Sequence, residues 1–397
     1  MSFRAADHLN ATIAAIPPSG IRKFFDIVAE MKDAISLGVG EPDFDTPWSV
    51  CQAGVRSIER GETHYTSNWG IPELRRQIAR YQEDRMGVPY SPTDEVLVTV
   101  GASEGIDLAL RAIVSPGDEV LLPTPSYVSY LPCIAFAGGV PVFLPLSADN
   151  AFRLTPEMLK AAITPKTKAL LLPFPSNPTG GIMDKADLEA IAEVLRGTNI
   201  LIVSDEIYAE LTYGDTPHVS IASLPGMRER TVVLNGFSKA FAMTGWRLGY
   251  ACAPREIMEL MVKIHQYVIM CAPTTAQAAG TEALRSAFDS DFRTVRRMRD
   301  IYDQRRRTIV SGLNDIGLSC FEPLGAFYAF PNITATGLSS EAFAEGLLRE
   351  EKVAVVPGTA FGTRGEGFVR CSYATATEKI GIALERIERF VRRRMEG

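Results

Sequence analysis

The chain of 397 residues is 46% hydrophobic and 22% charged, and 41 Lys and Arg against 47 Asp and Glu leave a net charge of −6. This composition excludes a disordered chain and a small stapled scaffold, and at roughly 100 to 200 residues per domain it accommodates more than one core. The mild acidity gives no general attraction to nucleic acid or to anionic membranes, and neither is expected as a partner.

The opening residues are not expected to act as an export signal, because Arg4, Asp7 and His8 would fall inside its apolar core. Short apolar runs predict buried strands at 95–100, 119–122, 140–144, 169–172, 200–203, 231–234 and 248–252. Residues 120–148 carry no charge and are long enough to span a bilayer. Pro123, Pro125, Pro132, Pro141, Pro145 and the pair Gly138-Gly139 would break or kink such a helix, so strand, loop, short helix, turn and strand is the reading. Helix-patterned segments at 103–114, 185–196 and 256–270 alternate with the strands. That alternation predicts an α/β fold, with a mostly parallel sheet covered by helices on both faces.

From about Phe292 the texture changes to an Arg-rich helix, short strands at 326–330, 353–356 and 368–371, and a final helix. The capping box Thr375-Ala376-Thr377-Glu378 opens that helix, which presents Ile380, Ala383, Leu384, Ile387 and Val391 on one face. Residues 46–290 are therefore expected to form a large domain. Residues 1–45 and 291–397 are expected to form a smaller α+β domain, the first segment being too short for a core of its own. Cys51, Cys133, Cys252, Cys271, Cys320 and Cys371 are scattered without a C-x-x-C pair. Neither a metal site nor a disulfide framework is indicated, and a reducing, cytoplasmic setting fits.

Three constellations carry chemistry. Gly101-Ala102-Ser103-Glu104-Gly105, between a strand and a helix, matches the nucleophile elbow of a serine hydrolase built on Ser103. The last histidine of the chain, His265, sits inside a predicted helix and makes a poor triad base. The same residues suit a phosphate cradle, with backbone N–H groups at a helix N-terminus and the Ser103 hydroxyl as donors. The second constellation comprises Arg293, Arg296, Arg297, Arg299, Arg305, Arg306 and Arg307, and it suggests nucleic acid. Asp300 and Asp303 interrupt it and no aromatics interleave, which favours a solvated helix face.

The third is dispersed. Asn177, Asp205, Tyr208 and Lys239 each follow a predicted strand, and the carboxyl ends of parallel strands converge on one crevice. A lysine able to form a Schiff base, an aspartate to hold a pyridine nitrogen protonated, and a tyrosine and an asparagine to bond a phenolate oxygen are what pyridoxal 5'-phosphate requires.

At this point the sequence resembles the class I and II aminotransferases of PLP-dependent fold type I. The resemblance runs from Gly38-Val39-Gly40-Glu41-Pro42-Asp43-Phe44 to Arg370. It is sharpest at Ser238-Lys239-Ala240-Phe241-Ala242-Met243-Thr244-Gly245-Trp246-Arg247-Leu248-Gly249-Tyr250. The resemblance implies that Lys239 anchors the cofactor and shuttles the proton, that Asp205 pairs with the pyridinium, and that Tyr208 and Asn177 bond the phenolate oxygen. Ala102, Ser103, Ser238 and Arg247 would clamp the phosphate, and Tyr127 would stack on the ring. Many members have serine where Gly236 stands, so one phosphate hydroxyl is expected to be missing. Arg370 would grip the substrate carboxylate, as suits a planar guanidinium, with the Gly40 backbone close by. Tyr65 would reach the phosphate of a second subunit in a homodimer with shared active sites.

The implied reaction is ping-pong transfer of an amino group between an L-amino acid and a 2-oxo acid such as 2-oxoglutarate. Ile21, Phe24 and Trp69 lie where the family approaches the substrate, which favours an aromatic or large apolar donor over alanine or aspartate. A PLP-dependent carbon-sulfur lyase would use the same lysine, aspartate and arginine and stays as an alternative. A regulatory module that merely senses the cofactor is disfavoured, since no DNA-binding segment is apparent.

Overall fold

The computed structural model describes residues 4–18, 31 and 33–395. All seven central apolar runs become strands of a single sheet. Its order is Val96–Thr99, Gly249–Cys252, Thr231–Gly236, Leu201–Asp205, Thr167–Leu172, Glu119–Thr124 and Val140–Pro145. Gly249–Cys252 runs antiparallel to both its neighbours, and the other pairings are parallel. Val96–Thr99 and Thr231–Gly236 are buried throughout, because helices cover both faces of the sheet and leave no solvent side to ask for alternating polarity. Helix Gly101–Ile113 buries Ile106, Ala109 and Leu110 against one face. Helix Thr274–Asp289 contributes Ala276, Ala279 and Ala283 to the core on the other side of the strands.

Residues 120–148 fold as strand, helix Tyr130–Phe136 and strand, and among the described residues no helix is long and apolar enough to cross a membrane. A second cluster of elements follows the sheet. Helices Arg293–Asp315, Ser340–Glu351 and Thr377–Met395 surround a three-stranded antiparallel sheet of Val356–Pro357, Val369–Ser372 and Tyr328–Ala329. Tyr302, Ile309, Phe343, Leu347, Ile380 and Ile387 share one apolar core there. The run read as one strand at 353–356 serves two sheets. Val353–Ala354 pairs in parallel with Ile35–Ser36, whereas Val356–Pro357 pairs with Val369–Ser372. The strand expected at 326–330 keeps only Tyr328–Ala329.

The segment before Thr46 joins this cluster through Ile35–Ser36 and through Asp43, whose carboxylate accepts from Arg305 at 2.8 Å. Nearer the start, Ala11–Ala14 lies beside Tyr130–Phe136 instead. The Arg-rich helix is only partly the solvated face expected of it. Arg305 and Arg306 are buried, the latter held by Asp303 and Glu322. Arg296 and Arg307 bond Asp291 and Asp303. Its charges are largely used within the chain.

Candidate active site

Strand ends define the crevice. Asp205 is the last residue of its strand, Lys239 follows Gly236, and Ala102 and Ser103 form the first turn of the helix after Val96–Thr99. The resulting cavity of about 430 Å³ is lined by Gly40, Ala102, Ser103, Tyr127, Asn177, Asp205, Tyr208, Ser238, Lys239, Arg247 and Arg370. Its size suits a cofactor-sized ligand with a small substrate.

Asp205 is 5% exposed, and its Oδ2 accepts from the Tyr130 hydroxyl at 2.8 Å while Oδ1 accepts from the Ile207 N–H at 3.2 Å. Burial pushes its carboxyl up to about 6 against the downward pull of those bonds. Among the described residues Asp205 forms no ion pair and feels Lys239 only as a more distant charge, so a positively charged ligand nitrogen would complete a pair the protein leaves open. Lys239 Nζ donates to the Gly40 carbonyl at 2.6 Å. Desolvation lowers its ammonium to about 8, helped by Arg370 and Arg247 and opposed by Glu41 and Asp205.

Arg370 is 2% exposed in the middle of Val369–Ser372. Its Nη1 donates to Asn177 Oδ1 at 2.9 Å and Nη2 to the Gly38 carbonyl at 2.6 Å, while Nε is buried without a partner. The bond from Arg370 fixes the Asn177 amide with its oxygen toward the guanidinium, which leaves its NH₂ to donate elsewhere. A Cβ on Gly40 would stand 2.8 Å from the Tyr328 hydroxyl, so only glycine fits there. Tyr208 is buried, its hydroxyl 2.9 Å from that of Tyr328.

Helix Gly101–Ile113 carries no side-chain cap, and its first-turn N–H groups are available to an anion. Gly101 has φ +74°, and a Cβ there would press within 2.6 Å of Arg247 Nη2. Arg247 donates to the Thr244 carbonyl at 2.9 Å and meets no carboxylate among the described residues, as suits a cation kept for a ligand phosphate. Gly236 does not line the cavity. A Cβ there would meet Gly249 and Leu248 backbone at 3.0 Å.

The serine-hydrolase reading fails on geometry. No histidine lines the cavity among the described residues, and His265 is fully buried with Nδ1 2.7 Å from Glu104 Oε1. Tyr65 is 81% exposed and borders a separate hollow with Val100, Ile269 and Cys271. Trp69 packs partly buried away from the cavity, while Ile21 and Phe24 lie outside the described residues. Sequence reasoning missed Tyr130 and Tyr328. Tyr130 opens its helix three residues after Tyr127, and Tyr328 sits on the strand beside that of Arg370, but nothing local marks either as facing Asp205 or Tyr208.

The sequence profile of the class I and II aminotransferases matches residues 32–387. The chain belongs to that family. This aminotransferase is 53% identical to the putative aminotransferase YugH of Bacillus subtilis, over 97% of this chain and 98% of the relative. It is 48% identical to an aspartate aminotransferase of Pyrococcus abyssi, over 95% and 96%. The solved structure of an aromatic aminotransferase from Pyrococcus horikoshii superposes with a TM-score of 0.89 at 46% identity, covering 94% of this chain and 99% of that one. The fold is that of PLP fold type I, and the family consists of pyridoxal-phosphate-dependent transaminases acting on amino acids and 2-oxo acids.

Proposed function

We propose that this aminotransferase holds pyridoxal 5'-phosphate in the 430 Å³ cavity with Lys239 as its covalent anchor. In this reading it transfers the amino group of an aromatic or large apolar L-amino acid to a 2-oxo acid such as 2-oxoglutarate in a ping-pong cycle. The observation that carries the reading is the buried Asp205 carboxylate without a cationic partner, facing the same cavity as Lys239 and Arg370. When bound, the cofactor supplies an electron sink for the pair left behind as the substrate's alpha proton departs.

The chain's own residues do the rest. Lys239, with its ammonium lowered to about 8, reaches its neutral, nucleophilic form near physiological pH and can take and return the proton at Nζ. Asp205 keeps a ring nitrogen cationic. Tyr208 and the Asn177 NH₂ donate to an anionic oxygen. The first-turn N–H groups at Ala102 and Ser103, with the Ser238 hydroxyl and the Arg247 guanidinium, hold a phosphate, and Tyr127 covers the ring face. Arg370 orients the substrate by its carboxylate, beside the Gly40 backbone.

Apart from Lys239, Arg247 and Arg370, all of which have roles in this reading, no cation lines the cavity among the described residues. The described lining thus offers a distal donor carboxylate no further cation, which supports an apolar donor. Twenty amino acids assayed singly with 2-oxoglutarate and cofactor-loaded protein test this. Aromatic and large apolar donors are expected to give the highest kcat/KM, and a preference for aspartate would reverse the assignment. Cystathionine is expected to release no pyruvate without an acceptor, whereas a carbon-sulfur lyase would release it.

A pH dependence follows from Lys239. Pyridoxal phosphate added to apoprotein is expected to bind covalently with a rate that rises with pH and is half-maximal near 8, because only the neutral amine attacks. Stopped-flow absorbance checks this, and a midpoint at the ordinary lysine value would show that the amine is not desolvated.

The same reading divides the chain at 46–290 against 1–45 with 291–397, so that closure would carry Arg370 over the cofactor. All six cysteines are free, which supports a cytoplasmic setting. Tyr65 is proposed to serve the other subunit of a homodimer. Its own 81% exposure and that of Ile269, which borders the same hollow and is 45% exposed, support an interface. Mixing Lys239→Ala with Tyr65→Phe subunits is expected to give activity above either parent, since each heterodimer then holds one intact site. An average of the parents after verified exchange would mean that Tyr65 acts within its own chain.

A further inference from the structure

Tyr328 belongs to the three-stranded sheet, opposite Ser372 on the strand that carries Arg370. The Arg370 guanidinium lies over its ring at 4.4 Å. Its hydroxyl lies 2.9 Å from that of Tyr208, just past the end of a strand in the seven-stranded sheet. The contact thus bridges the two sheets. The rings meet edge to face at 6.0 Å and 79°, and Phe327 packs on both, 5.5 Å from Tyr208 and 4.9 Å from Tyr328. The Gly40 backbone closes over the hydroxyl, where even a Cβ would stand within 2.8 Å. The pair has little room to rearrange.

Proton counting gives the bond a direction. Burial pushes both phenols up, so both stay neutral hydroxyls with one proton each. If Tyr208 spends its proton on the ligand's anionic oxygen, its own oxygen can only accept, and Tyr328 must be the donor. A hydroxyl that accepts a hydrogen bond becomes a better donor itself. Asn177, the other donor to that oxygen, is oriented directly by Arg370 at 2.9 Å. Both donors are then held from the side where the substrate carboxylate binds. The titratable and charged groups facing the tyrosine pair are Arg370, Tyr127 and Lys239, the last 5.9 Å from the Tyr208 ring.

The geometry points to Tyr328 as a positioning residue that ties carboxylate capture at Arg370 to the donor strength of the Tyr208 hydroxyl, an inference that rests on the roles proposed above for those two residues. Tyr328→Phe tests it, because the ring under the guanidinium stays and only the hydroxyl goes. Loss of the donated bond leaves Tyr208 a weaker donor, the ligand's oxygen anion less stabilised, and its protonated form favoured. The pH midpoint of the holoenzyme's visible band is therefore expected to rise by about half a unit, the share of one neutral hydrogen bond.

The second readout is the displacement of that midpoint by saturating 3-phenylpropanoate, an unreactive monocarboxylate. It is expected to be roughly halved in Tyr328→Phe, since one of two bridges from Arg370 is cut and the one through Asn177 remains. An unaltered displacement overturns the inference, whatever the resting midpoint does. Tyr208→Phe separates the two levels. If its midpoint moves while Tyr328→Phe behaves as wild type, the inference alone fails. If Tyr208→Phe leaves the midpoint in place, the role of Tyr208 fails and the inference falls with it.

Discussion

Lys239→Ala is expected to fold normally and to lose transamination by about 10⁴-fold or more, because nucleophilic anchor and proton shuttle go together. The side chain makes one hydrogen bond, to the Gly40 carbonyl, and fills no part of an apolar core. Its loss removes an ammonium that the fold desolvates. A lysine lowered from its usual value to about 8 destabilises the folded apoprotein below pH 8, and that penalty fades as pH rises from 8 to the ordinary lysine range. The apo variant is accordingly expected to melt no lower than wild type at pH 7, with any advantage shrinking toward pH 10. Single-turnover absorbance with cofactor and amino acid measures the chemistry, and calorimetry measures the fold. Substantial residual turnover in a fully folded variant would mean that another group moves the proton.

Arg370→Lys is expected to reduce kcat/KM by about 2 to 4 kcal/mol, roughly 30- to 1,000-fold, for amino-acid and 2-oxo-acid substrates alike. The guanidinium already spans two fixed acceptors, Asn177 Oδ1 and the Gly38 carbonyl, with its Nε buried and unpartnered. An ammonium has the charge but not the planar fork, and cannot hold Asn177 and a carboxylate in one plane. The visible band of the holoenzyme is expected to persist, because Ala102, Ser103 and Arg247, the residues proposed to cradle the phosphate, are untouched. A specificity constant equal to wild type would remove Arg370 from carboxylate capture.

Local pattern was enough to find the seven-stranded sheet, because strands covered on both faces are mostly apolar, and the seven runs are, even that of the largely exposed edge strand Val140–Pro145. The same pattern located Asp205 and Lys239, since both lie at strand ends where an α/β sheet gathers its ligand groups. Three things were not legible. The split at Val355, between Val353–Ala354 and Val356–Pro357, depends on two partner strands far away in sequence, so the apolar run reads as continuous. The hydrogen bond from Tyr130 to Asp205 and the contact of Tyr328 with Tyr208 join residues 75 and 120 positions apart, and a tyrosine in an apolar stretch carries no sign of which hydroxyl it will meet. Arg305 and Arg306 lie in a helix whose charge density suggests solvent, yet Asp43 and Glu322, from outside that helix, draw them into the core.

The central claim is that the cavity holds pyridoxal 5'-phosphate on Lys239, and reduction of the loaded protein with borohydride followed by peptide mass mapping tests it most directly. The cofactor mass is expected on the single tryptic peptide containing Lys239, with the visible band lost as it appears. Cofactor fixed to any other lysine, or to none while the band is bleached, would contradict the account.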